Sequence, residues 1–225
     1  MEINNIVETT LAKNLTMGEK LKYFFTNPNR IFEDYNTKPT WKLKLSIIIA
    51  IVAIYSVFVK ILTFGTNIDL MMQQMPDLPK EQAQAAMGFL NSPWMTALIA
   101  LFAVILAIGT VFLVPLIYKG LISLFGGKTT YKKLLSVYSL AYIPFYIGSL
   151  VSLAIGYFTN NYASILNPNV MDTLLGRLDL FVIWQALLLI FGFSKVAELK
   201  LEKSAIIVAI MWLITTGIAI IPKLL

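Results

Sequence analysis

The sequence predicts an all-α polytopic membrane protein, a bundle of five transmembrane helices with a cytoplasmic amphipathic N-terminal segment. Three observations predict it. Hydrophobic residues make up 58% and charged residues 13% of the 225 positions, and mean hydropathy is +0.75, where a soluble domain carries about 25% charged residues. The apolar residues gather into five runs, each close to the roughly 20 helical residues that cross ~30 Å of hydrocarbon. The basic residues lie asymmetrically around those runs.

Residues 1–42 read as the N-terminal segment and 43–225 as the transmembrane domain. Residues 1–40 are polar and amphipathic, so no signal peptide is predicted and the chain is expected to insert through its own first span. Thr16-Met-Gly-Glu19 fits a capping box, and Met17, Leu21, Phe24 and Phe25 share one face of the helix that follows. Asn27-Pro28 starts a second short helix, so 17–26 and 28–35 are expected on the cytoplasmic surface, on the membrane or on the inner ends of the spans. Phenylalanines among Lys20, Lys22 and Arg30 suit the boundary of an anionic leaflet.

The spans are expected at about 43–64, 94–118, 134–158, 178–196 and 204–225. The second reads on as helix to about Leu124, some 48 Å at 1.5 Å per residue and too long for one upright span. Pro115, Lys119 and Gly120 suggest a kink, with the last turns leaving the hydrocarbon, a strong tilt being the alternative, and Gly126-Gly127 stops the helix. In the connections, Ser92-Pro93 and Asn167-Pro168 each pair a capping side chain with proline. A helix from about Pro79 to Leu90 would bury Ala83, Ala86, Met87 and Leu90.

Thirteen basic residues border the N-terminal segment and the second and fourth connections, from Lys13 to Lys203; only Lys80 and Arg177 border the others. By the positive-inside rule the N-terminus is cytoplasmic and, with five spans, the C-terminus is outside. That distribution accounts for the net charge of +6 without nucleic acid.

Cysteine and histidine are both absent, which removes disulfides, thiolate nucleophiles, imidazole bases and the usual zinc and haem ligands. No phosphate-binding glycine loop or paired intramembrane carboxylates occur, so neither an enzyme nor a cofactor, metal or proton-coupled carrier is expected. Lys60, Lys119, Lys195 and Lys223 lie near span ends, where they can snorkel. Glu33-Asp34 reads as a solvated helix end, and Arg177 and Asp179 as a pair at the interface.

The deep polar residues are uncharged. At 100° per residue, Tyr138, Tyr142, Tyr146 and Ser149 fall on one face of the third span, with Pro144 roughly opposite. Hydroxyls deep in hydrocarbon are costly unless paired, so this face is expected to turn inward. Gln185 or Thr215 would be the partners, and Pro144 would produce a modest bend on the other side.

Three segments together resemble the bacterial branch of the Yip (Ypt/Rab-interacting protein) membrane protein family. FFTNPNRIF (24–32) is similar to its F-x-x-P-x-x-x-F motif before the first span, and YSLAYIP (138–144) to its tyrosine-serine and proline pattern. FVIWQALLLIFGFSKVAELKLEKSAIIVAI (181–210) is similar to its last helical hairpin. The family-pattern residues by match are Pro28, Phe32, Tyr138, Ser139 and Pro144. The resemblance, over about 20–225, implies five spans with the N-terminus inside. It also implies a non-enzymatic accessory or assembly factor for other membrane proteins in the bacterial cytoplasmic membrane, with an ABC transporter or self-association as candidate partners. Eukaryotic members carry a longer aromatic-acidic motif that does not occur here, so Rab binding is not implied. The alternative from the residues is a small channel, carrier or permease subunit with an uncharged polar groove lined by Tyr138, Tyr142, Tyr146, Gln185 and Thr215.

Overall fold

A computed structural model of the chain describes residues 15–64 and 79–224. Residues 1–14 with Lys13, the stretch 65–78 of the first predicted connection, Leu225 and the side chains of Met17, Thr63, Phe64, Lys80, Tyr162 and Ala163 lie outside the described residues. Within them the regular structure is helical: α1 Met17–Thr26, α2 Pro28–Thr37, α3 Lys42–Phe64, α4 Lys80–Leu90, α5 Pro93–Leu124, α6 Tyr131–Phe158, α7 Tyr162–Leu166, α8 Val170–Gly176, α9 Leu180–Val196 and α10 Leu201–Ile220, followed by a 3-10 turn, Ile221–Lys223.

Lys42–Leu62, α5, α6 and Leu201–Lys223 are each long and apolar enough to cross a membrane. The fourth predicted run is different. Its helix, α9, has 17 residues, about 25 Å at 1.5 Å each and short of the hydrocarbon thickness. It is preceded by α8 at a 52° bend, and the two together make a fifth candidate span.

Helix starts follow local chemistry. Thr16 caps α1 in a complete capping box with Glu19, and Ser92 accepts from Met95 N ahead of Pro93. Asn27 precedes Pro28 without a side-chain cap. Asn167-Pro168 does not start a helix; Asn169 does, in a capping box with Asp172. An Asn and an Asp three residues apart can satisfy two orphan N–H groups at once, which Pro168, lacking an N–H, cannot join. Gly126, at φ +82, ends α5 in the left-handed region. In α4, Ala83 and Met87 are buried and Ala86 and Leu90 half-buried.

α6 is the central helix. Residues from Leu134 to Ala141 are buried all round, and α3, α5, α9 and α2 pack on it. Pro144 is therefore buried as well; the side opposite the tyrosines meets protein too. α5 continues unbroken through the buried Pro115 to Leu124. Proline deprives the Val111 carbonyl of its N–H partner, and one residue on, Phe112 O accepts from the Tyr131 hydroxyl at 2.8 Å.

α2 closes one end of the bundle, here the near end, where α6 begins and α9 ends. Ile31, Phe32 and Tyr35 are buried in the same cluster as Leu134, Val137, Phe193 and Val196. Glu33 pairs with Lys195 and Asp34 with Lys20, each at 2.9 Å, so neither carboxylate is a merely solvated helix end. Asn36 donates to Lys195 O and accepts from Lys133. Lys44 stands over the Tyr35 ring at 4.1 Å. α1 leaves Leu21 and Phe25 exposed.

Candidate functional site: a polar cavity between four helices

Four helices bring polar side chains around one cavity of about 190 Å³: Tyr118 from α5, Tyr138 and Tyr142 from α6, Gln185 from α9 and Thr215 from α10, with Arg177 at its far end. The helical spacing builds it. Tyr138 and Tyr142 are one turn apart and stack at 4.0 Å between ring centroids and 30° between planes. Tyr118 meets Tyr138 at 6.2 Å and Phe193 at 4.7 Å.

The cavity is only partly satisfied from within. Tyr142, Tyr138 and Gln185 face one another across it. The Tyr138 hydroxyl, on a fully buried side chain, makes no bond of hydrogen-bond geometry. Leaving such a group unbonded costs roughly 1–3 kcal/mol. Thr215 is no partner for the tyrosines. Its hydroxyl bonds back to Trp212 O in its own helix, the usual local choice of a mid-helix threonine, and its carbonyl accepts from Arg177 Nη2 at 3.2 Å.

The expected face is therefore split. Tyr138, Tyr142, Gln185 and Thr215 meet at this cavity, and Tyr146 lies against Tyr142 at 6.3 Å without lining it. Ser149 bonds Phe145 O and lines a second cavity of about 500 Å³ toward the far end. Ser139 is buried and bonds Ser136 O. Pro28 and Phe32 are buried at the near end.

Three departures from the sequence reading concern charge. Arg177 and Asp179 form no ion pair; Asp179 Oδ1 instead caps α9 at Phe181 N, 2.7 Å away. Lys60 is buried and donates to Asn91 at 3.4 Å, a bond across to the start of α5 in place of a free headgroup position. Lys195 is held by Glu33. Tyr118 and Arg177 were both missed as cavity residues. The tyrosine sits three residues after Pro115 inside an apolar run, a polar tip in a segment long enough to reach the neighbouring helix, which was the available signal.

Residues 22–221 match the model of the Yip1 domain. The chain is 28% identical over 201 residues to the membrane protein YknW of Bacillus subtilis (strain 168), an alignment that covers 84% of each chain. No solved structure matches.

Proposed function

From the premise that the chain belongs to the Yip1 domain family, we propose that it is a non-enzymatic accessory or assembly factor for other proteins of the bacterial cytoplasmic membrane. It would span that membrane five times, with α8 and α9 as one broken crossing, its N-terminus inside and its C-terminus outside. The basic asymmetry supports this orientation. An ABC transporter and a second copy of the chain are the candidate partners.

The observation that carries the reading is the outer face of α5. Leu98, Phe102, Leu113 and Leu116 are exposed along it. Gly109 and Gly120, three turns apart on the same face, have nothing within 4 Å of where a Cβ would stand. In lipid there is no hydrophobic drive between helices, so association rests on close van der Waals contact, which small residues permit. α5 is the least buried of the four unbroken candidate spans, so a partner helix can lie along it without displacing any part of the bundle.

Co-purification in mild detergent tests the reading. A stoichiometric membrane partner retained by the native chain and lost in Gly109→Leu or Gly120→Leu, with thermal stability unchanged, supports it. Solute flux by the purified protein in liposomes, abolished by Gln185→Leu, would favour a small channel, carrier or permease subunit, for which the polar cavity is the supporting observation.

A further inference from the structure

Arg177 joins the two cavities: it lines both, together with Phe145 and Val182. We propose that this junction binds the headgroup of an aminophospholipid, its phosphate on Arg177 and its ammonium toward Asp172 and Asp179 in the outer cavity.

The charge of Arg177 has no counter-charge in ion-pair contact among the described residues. One of its N–H groups goes to Thr215 O; a guanidinium has five, and it cannot shed its proton. A partly desolvated, unpaired cation is unfavourable, and its planar fork suits a phosphate. On the inner side, the Tyr138 hydroxyl is fully buried without a hydrogen bond and Gln185 is buried beside it. Both are placed to receive an oxygen-rich group that enters past Arg177.

The outer cavity adds selectivity. Asp172 spends Oδ2 on Asn169 N, and Asp179 spends Oδ1 on Phe181 N; each keeps a second oxygen. One guanidinium with two carboxylates complements a zwitterion better than a net anion. The approach is apolar. Leu175 lines the cavity and is exposed, as are Leu174 and Leu178, its neighbours in the chain on either side of Arg177, so acyl chains can lie there. At the end of a membrane span, lipid is the surrounding solvent, so even a weak site is filled by mass action.

Native mass spectrometry of the full chain, delipidated in mild detergent and titrated with phosphatidylethanolamine or phosphatidylglycerol, tests this directly. Phosphatidylethanolamine should be retained preferentially and should raise the melting temperature. Arg177→Gln should lower retention about tenfold or more, the worth of a charge-assisted bond. Asp179→Asn keeps a competent N-cap for α9, and Asp172→Asn leaves the Asn169 cap of α8 in place with an amide oxygen to accept from Asn169 N, so both should fold, yet their combination should abolish the preference for the amine lipid. Inorganic phosphate should not displace the lipid. Undiminished retention by Arg177→Gln, equal retention of the two lipids by the native chain, or displacement by inorganic phosphate would each overturn the proposal. It is independent of the α5 face, so loss of a protein partner and loss of lipid are separable results.

Discussion

The ring of Phe32 rests against Gly192: a Cβ added to that glycine would stand 3.2 Å from Phe32 Cε1 and 2.3 Å from Val137 Cγ1. One missing side chain thus lets α9 close on α6 and leaves the notch into which α2 inserts its buried phenylalanine. The N-terminal helix pair is locked to the membrane bundle by shape at this point.

Gly192→Ala should therefore be destabilising by about 1–3 kcal/mol, the usual cost of overpacking. Thermal unfolding in detergent measures it. Val137→Ala removes the obstructing methyl and should recover most of the loss in the double variant. Without that recovery, the tight contact with Val137 would not be the cause.

Apolar contact, not the ion pair, should hold α2. Phe32→Ala removes a fully buried aromatic ring and should cost about 3–5 kcal/mol. Glu33→Gln breaks a pair whose carboxylate side chain is 56% exposed, and exposed pairs contribute about 1 kcal/mol or less. Amide exchange across 28–37 should accelerate sharply in the first variant and little in the second. The opposite order would mean that charge holds the helix.

Much of this architecture was legible because helix punctuation and apolar run length are local signals. Thr16 with Glu19 and Ser92 with Pro93 act within one turn, and the structure repeats them as read. What was not legible depends on partners distant in sequence. Arg177 is two residues from Asp179 in the chain, yet its hydrogen-bond partner is the carbonyl of Thr215, and nothing local to residue 177 carries that. Glu33 reads as solvated because its partner Lys195 lies 162 positions away, and Asp34 because Lys20 stands on the preceding helix. Pro144 was placed on an outer side because a 100° wheel gives one helix two faces. A central helix surrounded by neighbours has no outer face over its buried half.

Topology is testable without background, since the chain contains no cysteine. If the N-terminus is inside, cysteine introduced at Gln82 or Asn167 should react with a membrane-impermeant thiol reagent in intact cells. Cysteine at Thr130 or Glu202 should not. Labelling of Thr130→Cys from outside would invert or break the five-span arrangement.

Alkaline stability should depend on Tyr35, which lies outside the spans. Burial, and then the neighbouring Asp34 charge, hold its phenol well above the ordinary range. The protonated form is the one that is buried. Its contribution is therefore complete below the unfolded value of about 10 and is lost as pH rises through the folded value. Tyr35→Phe should melt much like the native chain at neutral pH and lose less between about pH 10 and 11. Parallel melting curves over that window would remove Tyr35 as a cause.

The tyrosines of α6 offer the sharpest separation of hydrogen bonding from packing. Tyr142 stacks on Tyr138 and shares the cavity with Gln185, whereas Tyr157, fifteen residues on in the same helix, is 55% exposed. Tyr142→Phe keeps the ring and should cost about 1 kcal/mol, the typical net value of one hydrogen bond. Tyr142→Ala opens a void between α6 and α9 and should cost several kcal/mol, in the range of about 3–5 for a buried aromatic. The same pair of changes at Tyr157 should each stay within about 1 kcal/mol, because an exposed ring leaves no cavity behind. Gln185→Leu should make Tyr142→Phe nearly neutral, since the hydroxyl then has lost its partner before it is removed. If Tyr142→Ala leaves melting in detergent unchanged, the ring packs against nothing that matters and the inward-facing cavity is wrong.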